Sequence, residues 1–360
     1  MRTSCSMTSV VDGASRVKPW KTGPLASFFI AVLALLAASC SSQNEEPHFF
    51  GGQIMGTTYQ VTVIADGAPL PDDLDGSIRA VLEDIDGKMS TYKPESELSR
   101  LNRAPLDEPL GVSPELMDVL ALAMDIHLDS EGAFDPSVGP LVDLWGFGPS
   151  VHEDRVPSPE EIAGHIASLG FATLELARES LTVTKRKDIS IDLSAIAKGY
   201  AADKVGELLR ARGLTRYMVE VGGEMALSGL NSRGTAWRIA VERPVAGMRE
   251  VQDVVLISDA GLATSGDYRN YFEKNGKRYS HTIDPRTGYP IDHTLASITV
   301  VASSSALADA LATALMVKGE EEALRYAQER EIAIMTLSKR DDTFIERFSP
   351  AFEPYLKEVE

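Results

Sequence analysis

Cysteine is almost absent: among 360 residues only Cys5 and Cys40 carry a thiol. Positive charge is scarce too, with 35 Lys and Arg against 53 Asp and Glu and a formal charge of −18. Such a surface repels phosphate backbones, which excludes a general nucleic-acid binder. It also disfavours an anionic cofactor, so a pyrophosphate would need local help from a metal, a lysine or backbone N–H groups. The apolar run from Phe28 to Ala38, about eleven residues, is too short to span a bilayer, which takes about twenty. No repeat or low-complexity segment interrupts the chain. Hydrophobic residues make up 44% of it, enough for a core, and this excludes a disordered chain.

What is present begins with a processing signal. Arg2, Arg16, Lys18 and Lys21 form a basic region ahead of the apolar run, which has the length of a signal-peptide core. It ends in Leu36-Ala37-Ala38-Ser39-Cys40, which resembles the bacterial lipobox, in which the cysteine is lipidated and becomes the mature N-terminus. That pattern usually places Leu three residues before the Cys; here it stands four before. Ordinary secretion with cleavage near Ala38 is the alternative. The expected organisation is a lipoprotein signal peptide over 1–39, a polar tether over 40–48 and one globular domain over 49–360. With Cys5 removed and Cys40 lipidated no disulfide can form, despite an oxidising compartment. The mature charge would fall to about −21.

Gly51 to Ile64 alternates as one strand, and Leu74 to Met89, Ser113 to Leu128 and Pro159 to Ser168 have helical spacing. Strands are expected at 173–177, 180–184 and 189–193, then a helix from Ala195 to Arg212. Further strands follow at 217–221, 235–241, 251–257, 262–265, 278–283 and 297–302. Helices at 305–317 and 320–330 and strands at 332–337 and 343–347 close the chain. Strands and helices without regular alternation predict an α+β fold.

Seven stretches are too rich in Gly, Asp and small residues for plain core. Met55-Gly56-Thr57-Thr58-Tyr59 lets a ligand approach the backbone, or is a strand start with a bulge. Tyr92 in Met89-Ser90-Thr91-Tyr92 follows a helix, where it stacks on a planar ring or packs on the surface. The non-periodic stretch from Gly132-Ala133-Phe134-Asp135-Pro136 to Gly148 is expected to be a binding loop. In Asp192 to Ala201 a strand end meets a helix start, gathering N–H groups and Lys198 into an anion site; Asp192 is otherwise a cap. Val221-Gly222-Gly223-Glu224 is a double-glycine turn. Ser280 to Gly288 gathers His281, Asp284, Arg286 and hydroxyls. Asp309 and Thr313 stand one helical turn apart, with oxygens suited to Mg²⁺, although a helix dipole also favours an early Asp.

In this order the seven stretches resemble the ApbE family of flavin transferases, the FAD:protein FMN transferases, over essentially the whole mature chain. The resemblance implies a single α+β catalytic domain with a mixed or antiparallel sheet and packed helices, binding FAD and Mg²⁺. By motif position, cofactor contacts would come from Met55, Tyr92, Ala133, Phe134, Asp135, Asp192, Lys198 and Ile283. The metal would be held by the Ala195 carbonyl, Asp309 and Thr313. Some members carry Glu where this chain has Lys198.

The implied reaction moves FMN from FAD to a Thr or Ser hydroxyl of a target flavoprotein, with AMP as leaving group. His281 and Asp284 are the candidate bases, although His281 could instead only hydrogen-bond its turn. Implied partners are flavoprotein subunits of membrane redox complexes. The expected location is a lipid anchor on the periplasmic side of a bacterial membrane, the inner one favoured. An FAD pyrophosphatase using water as nucleophile and a non-catalytic flavin-binding lipoprotein are the rivals.

Overall fold

The alternation of Tyr59, Val61 and Val63 puts three buried side chains on one face of a strand, which lies second from one edge of the largest sheet. A computed structural model describes residues 46–67, 69–148, 155–245, 250–267, 271–341 and 343–356; every structural statement concerns these. The expected signal peptide, Cys40 and most of the tether lie outside them.

The chain runs β1 (Pro47–Ile54), β2 (Thr57–Ile64), α1 (Leu74–Met89), α2 (Glu97–Arg103), β3 (Leu110–Gly111), α3 (Pro114–Asp129), α4 (Gly139–Leu144) and α5 (Pro159–Ile166). Next come β4 (Leu174–Ala177), β5 (Thr182–Lys185), α6 (Ala197–Ala211), β6 (Arg216–Val221), β7 (Glu224–Ser228), β8 (Trp237–Glu242) and β9 (Val251–Ile257). Then follow β10 (Ala260–Gly266), β11 (Tyr271–Lys274), β12 (Lys277–Ser280), β13 (Ile283–Asp284) and β14 (Tyr289–Pro290). The last are β15 (Leu295–Ala302), α7 (Ser305–Lys318), α8 (Glu320–Glu329), β16 (Ala333–Arg340) and β17 (Thr343–Phe348).

Eight strands form one antiparallel sheet in the order β1-β2-β6-β7-β10-β15-β16-β17. Alternation along the strands divides the core. Val61, Val219, Ile298, Val300 and Ile334 face α1, α3, α6 and α7. Leu262, Val301, Met335 and Leu337 face the β8–β9 hairpin and Phe352. A third cluster of Leu141, Trp145, Ile162, Phe272 and Ile283 joins α4 and α5 to the β11–β14 region. The expected α+β class is what forms.

Several boundaries depart from expectation. The strand from Gly51 to Ile64 is a hairpin, because Met55 (φ 50°) and Gly56 (φ 72°) make a two-residue turn in the left-handed region. Pro47 and His48, expected in the tether, pair with Ile64 and Val63 in that hairpin. Ile189 to Leu193 is not a strand. Its apolar side chains are buried as the alternation requires. Its backbone bonds elsewhere: Ile191 exchanges two hydrogen bonds with the Asn102 amide, and the Asp192 N–H donates to Pro136 O. The stretch 278–283 breaks after Ser280, where Thr282 N–H donates to Ser280 Oγ. The loop expected over 132–148 contains α4, started by Pro140 in its first turn and anchored by buried Leu141.

Helices α6 and α7 meet at backbone distance. A Cβ added to Gly199 would lie 2.3 Å from the Ser305 carbonyl oxygen and 2.7 Å from the Ala306 nitrogen. Neither backbone atom can give way without moving a helix. Gly199→Ala is therefore expected to destabilise the protein by about 1–3 kcal/mol, read as a lower midpoint in denaturant unfolding. A wild-type midpoint would show that the helices separate at no cost.

Candidate functional site

Two cavities adjoin, lined by residues of strands, loops and helices. One, of about 380 Å³, is lined by the Ala133–Phe134–Asp135 segment, Ala195, Glu224, Ser265, His281, Ile283, Asp309 and Thr313. The other, of about 570 Å³, is lined by Met55, Gly56, Met89 and Tyr92. Asp192, Ser194 and Lys198 line both, so the two form one elongated cleft.

Local chemistry shapes each wall. The Met55-Gly56 turn presents its backbone to the cleft, and Met55, a non-glycine residue in the left-handed region, holds local strain of the kind that gathers at ligand sites. Tyr92, after the end of α1, is 78% exposed, an aromatic face open to solvent at the cleft mouth. Asp135 closes an Asx turn, accepting from Ser137 N–H at 2.7 Å and Ser137 Oγ–H at 2.6 Å. His127 Nδ1 lies 2.8 Å from the Phe134 oxygen, behind the same segment. Asp192 accepts from Ser194 N–H at 2.7 Å. It acts as a local cap on the loop entering α6.

The cleft floor concentrates charge. Lys198 Nζ lies 3.3 Å from Glu224 Oε1 and 3.6 Å from Asp309 Oδ2, and donates to Ser194 O at 2.9 Å. Asp309, on the fifth residue of α7, is 4% exposed. Burial pushes its carboxyl up from the ordinary range, with Lys198 pulling the other way. Burial, reinforced by Asp309, raises Glu224 as well. Burial works against the charge of Lys198, but the two carboxylates outweigh it and hold the ammonium above its usual value. Two buried carboxyl groups share one ammonium, and burial and their mutual repulsion make both costly to ionise without a further cation.

That arrangement fits a divalent cation. Glu224 Oε2 is buried without a partner. The Thr313 and Ser265 hydroxyls lie 3.4 Å apart beside Asp309. The Gly199 N–H, four residues after Ala195, donates to Asp309 Oδ2 at 3.2 Å instead of closing a helical turn on the Ala195 carbonyl. Ala195, Asp309 and Thr313 thus bring a carbonyl, a carboxylate and a hydroxyl to one wall, hard oxygens of the kind Mg²⁺ takes. Among the described residues no group of three or more His, Cys, Asp or Glu is placed to hold a metal.

All the cofactor and metal residues expected from the sequence line this cleft, and His281 does too. Asp284 does not. Its two oxygens accept from Arg286 Nε and Nη2, both at 2.9 Å, and Oδ1 also takes the Arg286 N–H. An acceptor so engaged is poorly placed to take a proton. Phe147 meets the His281 ring edge to face, with centroids 6.3 Å apart. Two residues of the floor had no role assigned from the sequence. Glu224 follows the double-glycine turn that composition had marked; Ser265 sat inside a predicted strand. Gly222 (φ 62°) fixes that turn, since a Cβ there would press on Thr57 Cγ2 at 2.8 Å and on the Lys198 stem at 3.1 Å.

Comparison with known proteins identifies the family. The chain is 44% identical over 330 residues to the FAD:protein FMN transferase of Vibrio cholerae serotype O1, covering 89% of this chain and 96% of that one. It is 42% identical over 336 residues to the protein of that name from Haemophilus influenzae, covering 91% and 97%. A solved structure of the flavin transferase ApbE from Vibrio cholerae superposes with a TM-score of 0.79 at 42% identity, covering 86% of this chain and 99% of that one. The family model described as the ApbE family matches residues 55–336, most of the chain, and the protein belongs to the ApbE family.

Proposed function

We propose that the chain is an FAD:protein FMN transferase that works with a divalent cation, Mg²⁺, bound at Ala195, Asp309 and Thr313. The observation that carries this reading is the single cleft with an aromatic, open end at Met55 and Tyr92 and a buried, charged end at Asp309. A dinucleotide needs both: surface for rings, and charge compensation for the pyrophosphate. The family membership and the names of the relatives support the transferase reading over simple flavin storage.

In this reading the acceptor hydroxyl of a target protein attacks the FMN-side phosphorus. The new P–O bond forms as the bond to the AMP oxygen breaks. His281 takes the hydroxyl proton, since Asp284 is committed to Arg286. Lys198 supplies positive charge toward the phosphates from the N-terminal turn of α6. A divalent cation, when bound, neutralises charge on the pyrophosphate as the leaving group departs. Thr or Ser of a flavoprotein subunit in a membrane redox complex is the acceptor. The test is the fate of FAD with and without an acceptor protein. A transferase releases AMP in step with acceptor and yields little free FMN; equal FMN and AMP at the same rate without acceptor would mean hydrolysis.

Lipidation at Cys40 would keep the enzyme beside such targets on the periplasmic face. One acyl chain binds a membrane only marginally and two or more bind firmly. Cys40→Ser is expected to move the protein from the membrane to the soluble fraction. Full retention in membranes would place the anchor elsewhere.

A further inference from the structure

Asp203 lies outside the cleft, yet it holds one of its walls. It sits on α6, one turn beyond Gly199, and lines a cavity of about 350 Å³ that shares no lining residue with the cleft. Its Oδ1 accepts the Ser305 N–H and its Oδ2 the Ala306 N–H, both at 2.9 Å. The next amide, Leu307, donates to Ser304 Oγ at 3.2 Å. The start of α7 is thus capped twice, once by its own Ser304 and once by a carboxylate from another helix. A carboxylate there meets the positive end of the α7 dipole and ties the two helices together. The tie has a cost: burial pushes the Asp203 carboxyl up to about 6, and the two amides hold it down.

One turn away the same two helices are joined again. Gly199 on α6 donates to Asp309, one turn after Ser305 on α7, and Lys198 pairs with the same carboxylate. Any slip or rotation of α7 that breaks the Asp203 contact therefore moves Asp309, and Thr313 one turn further on.

We propose that Asp203 is a positioning residue that fixes the register of α7 against α6 and so aims Asp309 and Thr313 at the cation. This rests on the metal assignment made above.

The experiment titrates the full chain with Mn²⁺, following free Mn²⁺ by electron paramagnetic resonance, for wild type, Asp203→Asn and Asp203→Glu. Partners that orient metal ligands are typically worth 10- to 100-fold in metal affinity, so Asp203→Asn is expected to bind Mn²⁺ at least about tenfold more weakly. Asp203→Glu keeps both acceptor oxygens and should recover part of that loss. In transfer assays the metal half-saturation should rise in Asp203→Asn while the rate at saturating metal stays near wild type. Wild-type Mn²⁺ affinity in Asp203→Asn, or a lower rate with unchanged half-saturation, would overturn the proposal alone. No Mn²⁺ binding by wild type would overturn the metal assignment and the proposal with it. If Asp203→Asn does not fold, Ser304→Ala decides. It removes the other cap and leaves Asp203 in place, so Mn²⁺ affinity near wild type is expected. A tenfold loss there would mean that general fraying of α7 sets the site, against the proposal.

Discussion

Asp309→Ala is expected to abolish metal-dependent FMN transfer, by at least about a hundredfold, in a protein that stays folded. The size follows from what the carboxylate does. At about 1.36 kcal/mol per tenfold, a hundredfold is about 2.7 kcal/mol, within the several kcal/mol a metal contributes to a phosphoryl-transfer transition state. The expectation that the fold survives has its own basis. Asp309 is 4% exposed among alanines and leucines of α7, and burial already strains its charged form. Removing it relieves that desolvation, and Lys198 keeps Glu224 as a partner. The Gly199 N–H loses its acceptor, a smaller penalty of about 1–3 kcal/mol. Transfer rate against Mg²⁺ concentration and a thermal melt of the same sample check both halves. Full activity in Asp309→Ala, or full wild-type activity in excess EDTA, would end the metal assignment.

The second large effect is at His281. His281→Ala should bind FAD as wild type does and transfer FMN at least about a hundredfold more slowly, the lower end of what a positioned general base supplies. The side chain stands in the link between β12 and β13, on the cleft wall and against the edge of Phe147. Imidazole is the group best matched to taking a proton near neutral pH. Its neighbour Asp284 cannot readily substitute, because two nitrogens of Arg286 hold its oxygens. FAD affinity and single-turnover transfer measured on one preparation separate the readings. Near-normal transfer with normal affinity would leave no base role for His281. Loss of affinity together with transfer would make it a binding residue.

The periodic segments were legible because their burial follows from the sequence. Helix α1 has the bounds its spacing of Ile78, Leu82, Ile85 and Met89 predicts, and α3 starts at Pro114 after the Ser113 cap. What could not be read was set by partners distant in the chain. The alternation at Ile189, Ile191 and Leu193 is that of a strand, yet the Asn102 side chain, 89 residues earlier, takes the place of a ladder partner. The turn at Met55-Gly56 was hidden because Met carries no turn signal; only its left-handed backbone reveals the hairpin.

The site shows the same division. The seven stretches contain Met55, Asp135, Lys198, His281 and Asp309, and five segments of the fold bring them to one cleft: the β1–β2 turn, the loop before α4, α6, the β12–β13 link and α7. The charge balance was not legible. That Lys198 sits between Glu224 and Asp309, and that Asp203 ties α7 to α6, depends on the close approach of two helices at Gly199. An Asp284 committed to Arg286 two residues away was open to either reading until the turn was seen.

The most direct test of the central claim is the intact mass of an acceptor flavoprotein after incubation with this enzyme, FAD and Mg²⁺. A transferase predicts an acceptor heavier by one FMN unit, joined through phosphate to a single Thr or Ser, with one AMP released per acceptor modified. Cleavage of FAD to free FMN and AMP with the acceptor mass unchanged would contradict it.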